Sequence, residues 1–239
     1  MPNILQINNE NLDKIIHLDR HFCVLCDASG IKASAIKSLA VQLLFDDELD
    51  VIEQRKKLIA KKEYIASRFL IKTLISRHFK ISYHCIRLSF NNKLKKLQAI
   101  VNDKPLAINI SLAHSKGMVF FSICTRATVI GVDIEYQNVD RDIISVAENF
   151  YHPNEYKALA KDQHATFYRL WTLKESLAKA TGQSIFELLG QDTMQAIKGF
   201  HYTLGQYDDF QLATLQNGGL SAPPCYLLDL EKLLKNYDE

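Results

Sequence analysis

Three short runs in this sequence hold side chains that could do chemistry. In V-I-G-V-D-I-E-Y, residues 129–136, Asp133 and Glu135 stand two apart. The run reads as a strand, and strand side chains alternate between faces. Val132, Ile134 and Tyr136 then share a core face. Gly131, Asp133 and Glu135 share the other, and Gly131 is expected to leave open space beside Asp133. Carboxylates so placed are about 7 Å apart along the strand. Each then raises the other's pKa unless a cation sits between them. The plain alternative is a solvent-exposed polar face, and for Asp-x-Glu alone it is the better reading. Aspartate is a poor strand former, though, and its mid-strand place hints at a role.

The second run, W-T-L-K-E-S-L-A-K-A-T-G, covers residues 171–182. Helical spacing puts Trp171, Glu175 and Lys179 on one face, and Gly182 is a natural stop. Taken alone, Glu175 and Lys179 read as an ordinary surface pair. The third run, S-L-A-H-S-K-G at 111–117, sets His114 beside Ser115 at a strand end, as a phosphate contact or as a plain loop. There is no G-x-S-x-G, Walker A or G-x-G-x-x-G run, so neither a nucleophile-elbow hydrolase nor a phosphate-loop enzyme is supported.

The elements that must position these runs alternate between helix-rich and strand-rich stretches. Ala35–Phe45 is a helical patch in an otherwise mixed stretch from 10 to 50, and the acidic run Asp46–Asp50 is a loop or a helix start. Glu53–Phe79 has helical periodicity, with Leu58, Tyr64, Ile65, Phe69, Ile71, Leu74, Ile75 and Phe79 as its apolar residues. Strands are expected at 86–90, 106–112, 118–125 and 129–136, with a polar turn at Asn91–Lys96. The strands from 106 onward, joined by short turns, suggest a meander. Residues 141–161 and Phe167–Thr181 read as helical, with Pro153 opening a new helix. Further strands are expected at 200–204 and 210–215, and a closing helix at 227–237. Strands as neighbours of one another make this α+β rather than a doubly wound parallel sheet.

Composition bounds the rest. Hydrophobic residues make up 47% and charged residues 23% of 239, enough apolar material for a core in one large or two small domains. A net charge of +2 is too weak to argue for nucleic acid, but it suits anionic ligands. Cys23, Cys26, Cys85, Cys124 and Cys225 are an odd, scattered set. The lone C-x-x-C of Cys23 and Cys26 has no second pair to complete a zinc site, so reduced thiols are expected. Met1–Asn11 shows no basic segment followed by an apolar run, and no stretch reaches the about 18 apolar residues of a membrane span. The expected location is the cytoplasm, with no membrane partner.

In this order, the runs resemble the 4′-phosphopantetheinyl transferase superfamily in its larger single-chain, surfactin-synthetase-activating (Sfp) type. Gly131-Val132-Asp133-Ile134-Glu135 resembles the family's G-[VI]-D-[IV]-E. Trp171 to Lys179 resembles its W-x-x-K-E-[SA]-x-x-K, and the third carrier is the segment ending His114-Ser115. Lys104-Pro105, Phe150–Glu155 and the helix around Arg68 resemble lesser family elements. The likeness runs over residues 53–185. One departure is Ala113, where many members have a serine whose hydroxyl contacts coenzyme A.

The resemblance implies two similar α/β halves, 1–127 and 128–239, packed in pseudo-two-fold fashion around a cleft. It implies transfer of the phosphopantetheine arm of coenzyme A to a serine of an acyl or peptidyl carrier protein. Asp133, Glu135 and Glu175 are then the ligands of Mg²⁺, or of Mn²⁺ in its place, and Glu175 is either the base for the serine or only a ligand. Lys179 neutralises phosphate. His114, Ser115, Lys104, Arg68, Lys174 and Lys179 contact coenzyme A, and the protein is a monomer. Rival readings are another Mg²⁺-dependent phosphohydrolase or nuclease, and a non-catalytic binding protein on the same fold. A nucleic-acid binder built on the lysines of 56–62 has only a charge run behind it.

Overall fold

The structure, a computed structural model, describes residues 3–4, 7–9, 21–125, 129–160, 162–218 and 222–235. The expected 127/128 boundary, the end of the 141–161 helical stretch and the end of the closing helix fall outside this set. The chain divides into two compact units. One is Ile7–Ala127 with Pro224–Glu239; the other is Thr128–Pro223 with Met1–Gln6. Relative to a single cut after residue 127, the two end segments are exchanged. Both units mix helices with sheets, so the α+β class holds.

In the first, N-terminal unit the main sheet runs β2 (Ile7–Asn9), β12 (Cys225–Leu228), β3 (Phe22–Asp27), β8 (Met118–Cys124), β7 (Asn109–Ser115). β3 was hidden in the stretch expected to be mixed. Its F-C-V-L-C run is buried throughout and shows no alternation, as a strand covered on both faces should. Cys23 and Cys26 lie in it as free buried thiols, and burial pushes both pKa values up. β7 and β8 are joined by Lys116 and Gly117, with φ of 50° and 96°, as a tight two-residue hairpin requires. The expected meander stops here. The other edge of β8 pairs with β3, and the 129–136 strand joins the sheet of the other unit.

A second sheet holds β4 (Arg87–Asn91), β5 (Lys96–Val101) and β6 (Lys104–Pro105). The single helix expected from Glu53 is two: α2 (Asp46–Gln54) and α3 (Leu58–Phe79), preceded by α1 (Ile36–Leu43). The acidic run starts α2, where carboxylates meet the positive helix end. α3 is buried on nearly all sides through its middle. Phe69, Leu70, Leu74 and Ile75 join Val119, Phe121 and Ile123 of β8 in one core. The short α9 (Leu230–Lys235) closes this unit.

The C-terminal unit has a sheet in the order β1 (Asn3–Ile4), β10 (Phe200–Tyr207), β11 (Phe210–Asn217), β9 (Ile130–Tyr136), parallel only at β1. The stretch from 141 breaks into α4 (Ile143–Phe150) and α5 (Pro153–Ala158), because Pro153 takes a first-turn position where no N–H is needed. α6 (Gln163–Thr181) starts a turn before the expected Phe167. Asp162 caps it by accepting from the Ala165 N–H at 3.4 Å, and Gly182 ends it at φ 76°. α7 (Ile185–Leu189) and α8 (Thr193–Ala196) follow, and α6 lies against β9 and β11. Among the described residues no helix is long and apolar enough to cross a membrane.

Candidate active site

β9 pairs along its length with β11, Asp133 facing Ala213 and Glu135 facing Gln211 in register. Its other edge carries no strand among the described residues. The face that bears Gly131, Asp133 and Glu135 is not the open polar face that an Asp-x-Glu strand suggests. α6 covers it. Nor does Gly131 leave room: a Cβ there would stand 1.9 Å from the Ser176 carbonyl oxygen and 3.0 Å from Ala180 Cβ. The glycine lets helix backbone close directly onto strand backbone. Ser176 Oγ donates to the Ala213 carbonyl at 3.2 Å, fixing the helix across both strands.

That close approach brings two side chains of α6 onto the carboxylates. Lys179 Nζ is 2.6 Å from Asp133 Oδ1, and Trp171 Nε1–H donates to Glu135 Oε1 at 3.2 Å. The expected face of Trp171, Glu175 and Lys179 therefore exists, and it is turned to the strand. Lys179 pairs with Asp133 rather than forming a surface pair with Glu175. The Arg141 guanidinium lies 4.4 Å over the Trp171 ring and counters the rise in the Glu135 pKa, which burial drives.

Asp133 is 4% exposed, and its Oδ2 is buried with no hydrogen-bond partner. Burial pushes the carboxyl up to about 7; Lys179 pulls it down, while the charges of Glu135 and Glu175 add to the rise. An orphaned carboxylate oxygen that feels the charge of neighbouring acids is the chemistry of a hard divalent cation. Among the described residues no three His, Cys, Asp or Glu are gathered as a formed metal site. Lys179 supplies the positive charge at Asp133.

Lys174 stands apart, about 140° round the helix from Lys179 by helical periodicity. It is 0% exposed. Its ammonium meets Glu155 Oε2 at 2.9 Å and donates to the carbonyls of Leu188 and Gln191. Glu155 in turn accepts the Thr193 N–H at 2.7 Å. Lys174 thus ties α6 to α5, α7 and α8, and this position gives no exposed charge for a ligand.

The remaining candidates lie in the N-terminal unit. His114 and Ser115 end β7, and Lys104 is exposed on β6. Arg68 is 8% exposed, its guanidinium 4.1 Å over the Tyr64 ring and its Nε 3.8 Å from Glu48. Like Lys174, it is turned inward. Two partners could not be named from sequence. Glu63 takes His114 Nδ1 at 3.1 Å, and Trp171 is a hydrogen-bond donor as well as a packing residue. A charge inside the apolar period of α3 was the one signal for Glu63.

Residues 129–228 match the 4′-phosphopantetheinyl transferase superfamily. Among similar curated proteins, the 4′-phosphopantetheinyl transferase HetI of Nostoc sp. (strain PCC 7120 / SAG 25.82 / UTEX 2576) is 25% identical over 134 residues, 54% of this chain and 55% of the relative. The 4′-phosphopantetheinyl transferase gsp of Aneurinibacillus migulanus is 35% identical over 83 residues, 33% of each chain. The 4′-phosphopantetheinyl transferase Sfp of Bacillus subtilis (strain 168) is 31% identical over 120 residues, 48% of this chain and 50% of the relative. The chain thus matches about half the length of HetI and Sfp and a third of gsp. The family match begins after His114 and takes in β9, α6 and the sheet behind them. This segment, with Asp133, Glu135, Glu175 and Lys179 inside it, is what the chain shares with the 4′-phosphopantetheinyl transferase superfamily.

Proposed function

We propose that this protein is a 4′-phosphopantetheinyl transferase of the larger Sfp type. It moves the phosphopantetheine arm of coenzyme A to a serine of an acyl or peptidyl carrier protein and releases adenosine 3′,5′-bisphosphate. The observation that carries this is the buried Asp133, with one oxygen on Lys179 and the other unpartnered, inside the segment that matches the family.

In this reading Asp133, Glu135 and Glu175 hold Mg²⁺, or Mn²⁺ in its place. The ion, when bound, neutralises charge on the pyrophosphate and phosphoryl oxygens. The chain's own groups do the rest. The serine oxygen bonds to the β-phosphorus as the bond to the leaving adenosine bisphosphate oxygen breaks. Glu175, half-buried between Trp171 and Lys179, is the candidate to take the serine proton. Lys179 exchanges Asp133 for the leaving phosphate. His114, Ser115 and Lys104 meet the nucleotide end, and Arg68 and Lys174 hold their helices. In this reading the chain has two similar halves, 1–127 for coenzyme A and 128–239 for the carboxylates. Lys72 of α3 and Lys174 of α6, each buried against a glutamate, support that likeness. A small, acidic carrier protein docks on apolar residues between Asp133 and Trp171, such as the exposed Val139 and Phe150. The enzyme acts as a cytoplasmic monomer.

The test is intact-protein mass spectrometry of an apo carrier protein incubated with this protein, coenzyme A and Mg²⁺. A gain of one phosphopantetheine arm, lost with chelator and in Asp133→Ala, is the expected result. A folded protein that modifies none of several unrelated carriers overturns the reading.

A further inference from the structure

The proposed reading makes His114 a contact for coenzyme A phosphate, and a single carboxylate stands behind that ring. Glu63, on the second turn of α3, is 3% exposed. Its Oε2 lies 3.1 Å from His114 Nδ1, and its Oε1 accepts the Gly117 N–H at 2.7 Å. One buried side chain therefore grips both the last turn of β7 and the hairpin that follows. The hairpin has another support: the Gly117 carbonyl accepts from the Ala28 N–H at 2.8 Å. The His114 side chain is 38% exposed against 5% for Glu63. The Nδ1 edge is thus the inner one.

We infer that Glu63 is the positioning residue of His114, accepting its Nδ1–H so that the ring is fixed and an Nε2–H points outward to donate to an anionic phosphate. The phosphate-bound ring then donates from both nitrogens, Nδ1–H to Glu63 and Nε2–H to the ligand. A ring free to flip would divide its time between orientations and weaken the contact. Glu63 does not touch the ligand; it acts through His114. The inference rests on the proposed coenzyme A site, and its test separates the two.

Coenzyme A affinity is measured by calorimetry on the full chain for wild type, Glu63→Gln, His114→Ala and the double variant, beside long-range ¹H–¹⁵N spectra of the imidazoles. Glu63→Gln should weaken coenzyme A binding about tenfold, the scale of one hydrogen bond. In the His114→Ala background the same change should cost less than about twofold, because the residue it acts through is gone. The wild-type His114 signal should show Nδ1 protonated, and Glu63→Gln should mix the tautomers. Equal losses in both backgrounds, or no loss in either, overturn the inference. Should Glu63→Gln not fold, Glu63→Asp, one methylene shorter, takes its place. Should wild type not bind coenzyme A, the site reading fails and the spectra alone decide. A locked Nδ1–H in wild type, released in the Glu63 variant, upholds Glu63. A ring already free in wild type overturns it.

Discussion

The long helices α3 and α6 each bury a lysine against a glutamate from an earlier helix. In the N-terminal unit Lys72 Nζ meets Glu48 Oε2 at 2.5 Å and donates to the Leu43 carbonyl, with the Tyr83 ring 5.6 Å away. In the C-terminal unit Lys174 meets Glu155 and the Leu188 carbonyl, with the Tyr151 ring 5.5 Å away. Both lysines have their pKa lowered by burial, with the paired glutamate opposing. Five residues beyond Lys174, α6 carries a second ion pair of another kind. Lys179 is only part-buried, and its partner Asp133 keeps one oxygen unanswered. Closed pairs hold helices in place. The open pair, set on the same rigid helix, has an oxygen left to give. A buried ion pair by itself says little about function; what distinguishes a site is the polar atom the fold leaves over.

The comparison breaks most sharply on turnover. Asp133→Ala and Glu175→Gln should each lower carrier modification by about a thousandfold or more, the scale of losing preorganised charge at a reacting phosphoryl group. Their melting temperatures should stay near wild type or rise. By contrast, Lys174→Met should cost about 3–5 kcal/mol in urea unfolding, because Glu155 is left as an uncompensated buried charge. Lys72→Met should cost less, because Arg68, 3.8 Å from Glu48, still faces that carboxylate. Equal stability losses at Lys179 and Lys174 would erase the distinction between open and closed pairs.

Gly131→Ala tests the approach that creates the open pair. Its methyl would run into the Ser176 backbone carbonyl, so α6 must lift from β9. A loss of about 3 kcal/mol, the upper range for overpacking, should appear with weakened turnover.

A pH series in chelator sharpens the point. The Asp133 carboxyl is raised in the fold to about 7, above its unfolded value. Its contribution to stability is therefore full below the unfolded pKa and is lost as pH rises through about 7. Asp133→Asn should gain on wild type in melting temperature between pH 5 and pH 9; a constant difference refutes the assignment. Smallest, Trp171→Phe keeps the ring against Phe167 and drops the bond to Glu135, for a loss of about 1 kcal/mol.

Much of the site was legible because strand and helix periods are local. Asp133 with Glu135, and Trp171 with Glu175 and Lys179, share faces by counting alone. That those two faces meet depends on Gly131, whose meaning reversed from open space to contact once α6 was in place. The buried roles of Lys174 and Arg68 were not legible, since a lysine or arginine in a motif looks the same whether it points out or in. Of the fold, alternating strands such as β9 and β10 announced themselves. β3 did not, because a strand covered on both faces loses the period that marks a strand, and the short β12 shows no period and finds its partners some 200 residues away.

The exchange of chain ends also bears on the birth of the molecule. In the sheet order β2-β12-β3, the last strand among the described residues lies between the first two of that sheet. A ribosome that has released everything up to β8 has delivered a sheet with a gap in its middle. Its exposed edges must wait, or be shielded by a chaperone, until Cys225–Leu228 emerges. Synthesis order and assembly order are thus opposed in the N-terminal unit. A nascent chain stalled before residue 225 should be far more sensitive to protease there than the finished protein.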